Sequence, residues 1–110
     1  MSNLNFYEEI TSNEETLQRT LDVFHILRNE IRFKILLLLI RQETNVTEMM
    51  NVIKESQSAI SHQLAKLKKS NLIKSRTDGR KKYYRLYDKH VESIIRLAVD
   101  HASEGNEPLK

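Results

Sequence analysis

The sequence predicts a mainly α-helical domain that carries one β-hairpin, and three features support this fold class. The 110 residues include only one Pro and two Gly, too few turn residues for an all-β fold. Apolar residues recur at helical spacing in most of the segments between the predicted turns. Asp78-Gly79, between Leu72–Arg76 and Lys82–Leu86, is a strong signal for a short hairpin. At this length, residues 1–110 are expected to form a single domain.

The N-terminal part of the chain is acidic and only weakly patterned. Residues 1–22 hold five acidic residues against one Arg. Residues 1–16 are therefore expected to form either an arm helix that completes a dimer or a frayed terminus. The spacing of Leu17, Leu21, Phe24 and Leu27 then predicts a helix. His25 lies beside this stripe and is expected to be a surface or packing residue.

The most apolar segment predicts the central helix of the core. It spans Ile31 to Arg41, with Asn29 as its expected cap, and its residues 35–40 are all apolar. This run is far shorter than a membrane span, and no signal-peptide pattern opens the chain. We therefore expect a cytoplasmic protein with no membrane partner. The absence of Cys excludes disulfides and thiolate metal sites.

Residues 45–69 predict a helix-turn-helix. Asn45, followed three residues later by Glu48, fits a helix-capping pattern, and the turn is expected at Lys54-Glu55. The second helix would begin after its cap Ser56 and run to Lys69, burying Ile60, Leu64 and Leu67. Its opposite face carries side chains that can hydrogen-bond base edges, namely Gln57, Ser58, Ser61, His62 and Gln63.

The hairpin at residues 72–86 completes a winged helix-turn-helix and is strongly basic. From Lys66 to Arg85 the chain holds nine of its 18 Lys and Arg residues against the single acid Asp78. Such a cluster gains affinity for duplex DNA by releasing counterions from phosphates, although a charged hairpin can also simply be solvated. We expect base contacts from Gln57, Ser58, Ser61 and His62. Phosphate contacts are expected from Lys66, Arg76, Arg80, Lys81 and Lys82.

Residues 88–104 predict a terminal helix, which Gly105, Asn106 and Pro108 would end. Its broad apolar stripe consists of Val91, Ile94, Ile95, Ala98, Val99 and Ala102. A helix that follows the wing has no obvious core left to cover. Pairing with a second copy of the chain is the simplest way to bury this stripe, so we expect a homodimer.

Four potential metal ligands lie at the two ends of the terminal helix. Asp88 and His90 are close neighbours at its start, and His101 and Glu104 are one turn apart at its end. The two ends are about 16 Å apart along the axis, too far for one ion. Antiparallel pairing of two such helices would create two four-coordinate sites suited to Zn(II), with Co(II) as a substitute. By spacing alone, chance surface residues remain the more frequent explanation.

The sequence resembles the ArsR/SmtB family of dimeric metal-sensing repressors over about residues 20–104. The resemblance rests on Phe24–Leu27, Ile31–Leu36, Ser56–Leu64, Asn71–Ile73, Gly79-Arg80 with Tyr84, and the terminal helix. Asp88, His90, His101 and Glu104 match the motif of the zinc and cobalt sensors at every position. Asn45-Val46-Thr47 replaces the Cys-X-Cys motif of the thiophilic sensors.

The resemblance implies a repressor that binds a palindromic operator in its apo form and that zinc releases, controlling metal efflux genes. It also implies that a ring nitrogen of His101 reaches the backbone near Asn71. Two alternatives remain. One is a regulator of the same fold that senses another ligand or no metal. The other, a small metal hydrolase using His90 and His101, lacks a nucleophile motif, a substrate loop and an open position on zinc. We therefore expect neither an enzyme nor a small-molecule substrate.

Overall fold

A computed structural model describes residues 3–105, and it confirms the predicted fold class, a mainly helical chain with an antiparallel hairpin wing. The expected helix-ending residues Asn106 and Pro108 lie outside the described residues. In chain order the elements are α1 Asn3–Thr11, α2 Glu14–Leu27, α3 Glu30–Arg41, α4 Val46–Ile53, α5 Gln57–Lys69, β1 Ile73–Asp78, β2 Lys81–Leu86 and α6 Lys89–Glu104. Helices α4 and α5 form the helix-turn-helix, and β1 and β2 form the wing.

Side-chain caps set where the helices begin. The predicted caps Asn29, Asn45 and Ser56 are confirmed, and each accepts a hydrogen bond from the backbone N–H three residues on. Each such bond satisfies a donor that would otherwise lack a partner at the helix end, and it typically contributes about 1 kcal/mol. Asn13 caps α2 in the same way, so α2 begins at Glu14, three residues before the apolar pattern at Leu17. The N-terminal segment forms its own helix, α1.

The core is centred on α3, as its apolar run predicts. Ile35 and Leu36 are fully buried, and Leu38 and Leu39 nearly so, whereas Leu37 faces outward at 42% exposure. The predicted buried stripe of α5 is confirmed. The core cluster around these residues consists of Ile26, Ile35, Leu36, Leu38, Leu39, Met49, Ile60, Leu64, Leu67, Leu72, Ile73, Val91 and Ile95. It joins α3 to both helices of the helix-turn-helix, to the root of the wing and to the first half of α6.

Two residues with positive φ terminate the helices of the helix-turn-helix. Lys54 ends α4 at φ 66°, in the left-handed region that costs a side chain with a Cβ roughly 1–2 kcal/mol. Asn71, at φ 60°, ends α5 in a Schellman motif. There the N–H of Leu72 donates to the carbonyl of Leu67 at 3.0 Å and that of Asn71 donates to Lys68 at 3.1 Å. Asn tolerates this conformation better than most residues do.

The wing is a two-residue hairpin whose strands pair from Ile73↔Leu86 to Asp78↔Lys81. The turn therefore consists of Gly79 and Arg80, one residue later than an Asp-Gly turn would place it. In the turn only Gly79 has a positive φ, the pattern of a type II′ turn with Gly first. The sequence did not predict a backbone bridge at the root of the wing. There Thr44 exchanges two hydrogen bonds with Tyr84, at 3.1 and 2.7 Å.

Across residues 3–105, the helices are all too short or too polar to cross a lipid bilayer.

Candidate DNA-binding surface and terminal-helix ligands

The exposed face of α5 carries most of the residues that the sequence predicted to read bases. Gln57, Ser58, Ser61 and His62 are all exposed, and they lie in the first half of the helix. These groups can donate to and accept from base edges in a major groove. Because Ser56 caps the helix, its first turn begins directly with these polar side chains.

Gln63 is different, and the prediction that it lies on the exposed polar face is wrong. The side chain is half-buried, and its Oε1 accepts a hydrogen bond of 2.9 Å from Arg32. Arg32 lies on α3 and is only 7% exposed, and its Nε also donates to the carbonyl of Ile26 at 2.8 Å. Since a guanidinium can only donate, this pairing also fixes the orientation of the Gln63 amide. The buried Arg32 thus ties α2, α3 and the candidate recognition helix together.

A basic surface continues from the end of α5 onto the wing. Four of the expected phosphate-binding residues are exposed and lie in no ion pair within residues 3–105, namely Lys66, Arg80, Lys81 and Lys82. Two neighbouring lysines are engaged locally. Lys68 donates to the hydroxyl of Ser75 at 2.8 Å, and the ammonium of Lys74 lies 4.7 Å from the ring centre of Tyr87. Three of these four free cations, Arg80, Lys81 and Lys82, therefore lie at the tip of the wing.

Arg76, the fifth expected phosphate ligand, is held in an ion pair with Glu43. Its Nε lies 3.1 Å from both carboxylate oxygens, and a terminal nitrogen lies 2.7 Å from Oε1. The guanidinium also stacks on Tyr83 at 4.9 Å and lies 3.7 Å from Asp78. Hydrogen bonding to Arg76 lowers the pKa of Glu43 from its usual value, and the same bond raises the pKa of Arg76. Both side chains are therefore charged near neutral pH.

Helix α6 carries its four candidate ligands on two separate ends, as the spacing predicts. Asp88 is the N-cap, and its Oδ1 accepts from the backbone N–H groups of His90 and Val91 at 3.0 and 3.2 Å. Its Oδ2 lies 3.5 Å from Nδ1 of His90, and Nδ1 of His101 lies 3.7 Å from Oε1 of Glu104. Within the described part of one protomer, no three acidic, His or Cys side chains come together as a metal site.

A narrow stripe on α6 joins these two ends. His90, Ile94, Leu97, His101 and Glu104 follow one another at intervals of four, three, four and three residues. At 100° per residue they fall within an arc of about 80°. Ile94 and Leu97, in the middle of the stripe, are 36% and 68% exposed, although Val91 and Ile95 beside them are buried in the core. This spacing is the one that packs helices against each other in coiled coils.

The link from His101 to Asn71 that the family resemblance implies is not present within the protomer. The side chain of His101 is exposed, and within residues 3–105 its Nδ1 lies 3.7 Å from Oε1 of Glu104. Asn71 is also exposed, and its N–H is already used in the Schellman motif.

Comparison with known proteins places the helix-turn-helix in a known family. Residues 29–75 match the family model described as bacterial regulatory protein, arsR family. A transcriptional repressor SmtB homologue from a Synechocystis strain is 37% identical over 89 residues, which cover 81% of this chain and 67% of that protein. The chain belongs to the ArsR family. A cadmium resistance transcriptional regulatory protein CadC homologue from Staphylococcus aureus is 35% identical, covering 74% of this chain and 69% of that protein.

Solved structures support the same fold for this ArsR-family chain. A homodimeric winged helix-turn-helix DNA-binding domain from Mycobacterium bovis, a possible ArsR-family transcriptional regulator, aligns with a TM-score of 0.81. It is 28% identical, and the alignment covers 86% of this chain and 87% of that one. Regulators of this fold bind DNA, and some of them are homodimers. The ArsR-family chain is accordingly a transcriptional regulator and not an enzyme.

Proposed function

We propose that this ArsR-family chain is a zinc-responsive repressor that binds operator DNA as a metal-free homodimer and leaves it when metal bridges its two terminal helices. The observation that carries this proposal is the α6 stripe. It has a ligand pair at each end, Asp88 with His90 and His101 with Glu104, and two exposed apolar residues between them. A protomer alone leaves both the ligands and the apolar residues unused.

Antiparallel pairing of two α6 stripes would bury the apolar residues and bring the ligand pairs together. Ile94 lies four residues after His90, and Leu97 lies four residues before His101. In an antiparallel pair, Ile94 of one protomer would therefore contact Leu97 of the partner subunit. The same register would bring the Asp88–His90 pair of one protomer toward His101 and Glu104 of the partner subunit. Exposed aromatic side chains on α1 and α2, including Phe6 at 62% and Phe24 at 66%, would extend the apolar surface available to a second copy.

The donor set suits the proposed metal. Two imidazoles and two carboxylates are borderline-to-hard ligands, and a four-coordinate shell of this kind favours Zn(II), with Co(II) as a substitute. Capping α6 occupies Oδ1 of Asp88 and leaves Oδ2 as its metal-binding oxygen. The cap therefore holds this carboxylate beside His90 before any metal arrives. The bound metal would supply only a cross-link between the two helices.

We further propose that α5 and the wing form the DNA interface. Gln57, Ser58, Ser61 and His62 would contact base edges in the major groove, and Lys66, Arg80, Lys81 and Lys82 would contact phosphates. The two recognition helices of a dimer must lie about 34 Å apart to enter successive major grooves. A metal-bridged α6 pair would favour a dimer geometry that misses this spacing. The regulated genes would encode metal efflux, and the protein would act in the cytoplasm.

One observation favours a second candidate function, a regulator of the same fold with a different signal. Asp88 already has a structural role as the N-cap of α6, and His90 and His101 each lie beside a carboxylate on the same solvent-exposed helix. Such side chains need no metal to explain them. The experiment must therefore separate the ligand role of Asp88 from its capping role.

The test is operator affinity by fluorescence anisotropy, with and without zinc, for the wild type, His101→Ala and Asp88→Asn. Asn caps helices as well as Asp does but lacks the anionic oxygen. We expect zinc to weaken operator binding by the wild type by about five- to 150-fold, the usual range of allosteric coupling, and to have no effect on either variant. Glu92→Gln, an acid off the stripe, is the control and should respond as the wild type does. Equal affinities with and without zinc throughout would establish the second candidate.

A further inference from the structure

We propose that Glu43 limits the sequence-independent affinity of the wing for DNA, because it keeps Arg76 away from DNA phosphates. This inference rests on the proposed placement of the wing on DNA. The wing carries several cations, and the sequence alone does not distinguish Arg76 from its neighbours. The structure does, because Arg76 is paired with two acidic side chains, whereas Arg80, Lys81 and Lys82 are not paired within residues 3–105.

The ion pair between Arg76 and Glu43 has well-defined hydrogen-bond geometry. The Arg76 guanidinium meets both carboxylate oxygens of Glu43, with nitrogen–oxygen distances between 2.7 and 3.1 Å. A two-pronged arrangement of this kind is the strongest that Arg forms with a carboxylate. On its other side the guanidinium stacks on Tyr83, its cross-strand neighbour, at 4.9 Å. The Nε and one terminal nitrogen of Arg76 are therefore already engaged by Glu43, and one face of the guanidinium is covered by Tyr83.

The backbone next to Glu43 holds the carboxylate in place. Thr44 is only 6% exposed and exchanges two hydrogen bonds with Tyr84, the residue that follows Tyr83 on β2. Glu43 is therefore anchored to the same strand that presents the stacking ring. The Glu43 side chain is also less exposed than that of Arg76, at 30% against 52%. The backbone of Glu43 is thus fixed beside the wing that carries Arg76.

Removing one cation per wing from the phosphate contacts has a definite consequence for DNA affinity. Phosphate contacts supply most of the sequence-independent affinity for DNA, and each one steepens the salt dependence by about 0.9. Because such a contact reads no bases, it adds to the affinity for the operator and for other sequences alike. By pairing with Arg76, Glu43 lowers this shared contribution and leaves the base-reading side chains of α5 unchanged.

The experiment measures the affinity of the metal-free dimer for random-sequence duplex DNA and for the operator from 50 to 200 mM salt. Glu43→Gln keeps the size and hydrogen-bonding capacity of the side chain but removes its charge. We expect tighter binding to random DNA and a salt slope steeper by about 0.9 per protomer, or about 1.8 per dimer. Between 50 and 200 mM salt, the affinity of this variant should therefore fall by roughly twelvefold more than that of the wild type. Operator binding should tighten by a similar factor, because the added contact reads no bases.

Two further variants separate the possible results. In Glu43→Gln/Arg76→Gln the gain should vanish. A gain that persists there would overturn the proposal, because the carboxylate would then simply repel DNA. Lys82→Ala, which removes an unpaired wing cation, should make the slope shallower. If Lys82→Ala does so and Glu43→Gln changes nothing, the role of Glu43 is refuted while the wing contact stands. If Lys82→Ala also changes nothing, the proposed wing contact with DNA fails together with the role of Glu43, while the zinc response is tested separately.

Discussion

The candidate recognition helix finds all its packing partners within one protomer, whereas the terminal helix does not. Helix α5 buries its whole apolar stripe, is capped at both ends and is fixed to α3 through Arg32 and Gln63. Helix α6 buries Val91 and Ile95 but exposes Ile94 and Leu97, and it separates its ligand pairs by the length of the helix. The comparison indicates that the proposed DNA-reading surface is built within the protomer, whereas the proposed metal site requires two copies.

The largest expected effect tests how firmly α5 is fixed within the protomer. Arg32→Met leaves the carbonyl of Ile26 and Oε1 of Gln63 without their donor, and each unsatisfied buried group costs about 1–3 kcal/mol. We expect a loss of about 3 kcal/mol in the free energy of unfolding, measured by urea denaturation at a fixed protein concentration.

Arg32→Met/Gln63→Leu is the matched control for this loss. Replacing a buried polar network with apolar side chains is often neutral, so part of the stability should return. If Arg32→Met alone is as stable as the wild type, packing rather than the hydrogen bonds holds α5, and the contrast between the two helices weakens.

The second effect tests whether α6 depends on a second copy. Leu97→Glu places a charge in the middle of the proposed interface. We expect the dissociation constant of the dimer to increase by roughly 30-fold or more, about 2 kcal/mol. Sedimentation equilibrium measures this change. Because Leu97 is 68% exposed in the protomer, the helix content by circular dichroism should not fall.

Ser103→Glu, an exposed position away from the stripe, is the control for charge alone and should leave the dimer intact. A dimer unaffected by Leu97→Glu would place the interface elsewhere. The exposed apolar residues of α1 and α2 would then be the next surface to examine.

The smallest expected effect concerns Lys54, in the turn between α4 and α5. Lys54 holds a positive φ of 66° that costs a side chain with a Cβ roughly 1–2 kcal/mol, while Gly costs about 0.5–1 kcal/mol in chain entropy. Lys54→Gly should therefore raise the free energy of unfolding by about 0.5–1 kcal/mol, measurable by urea denaturation. Lys54→Ala keeps the Cβ and should give no such gain. Equal gains from Gly and Ala would mean that the Lys side chain, not the backbone, carries the cost.

Much of the fold was predictable because its signals are local. The caps Asn29, Asn45 and Ser56 lie three residues from the N–H groups that they bind, and the buried stripe of α5 follows from helical periodicity. The cap of α2 carried the same kind of signal, since Asn13 is followed by Glu14 and Glu15, but the weak apolar pattern before Leu17 concealed it. The turn position was one residue off because the strands pair through Asp78 and Lys81.

The sequence by itself determined the helix order, the wing and the placement of the candidate ligands at the two ends of α6. These follow from the backbone period and from chemistry within a few residues. Only the tertiary structure decided which polar side chains remain free. Gln63 and Arg76 are of the same residue types as their free neighbours. Each is nevertheless hydrogen-bonded to a side chain 31 or 33 residues away in the chain. Such pairings depend on how α3 and the loop after it pack against α5 and the wing, and no local pattern encodes that packing.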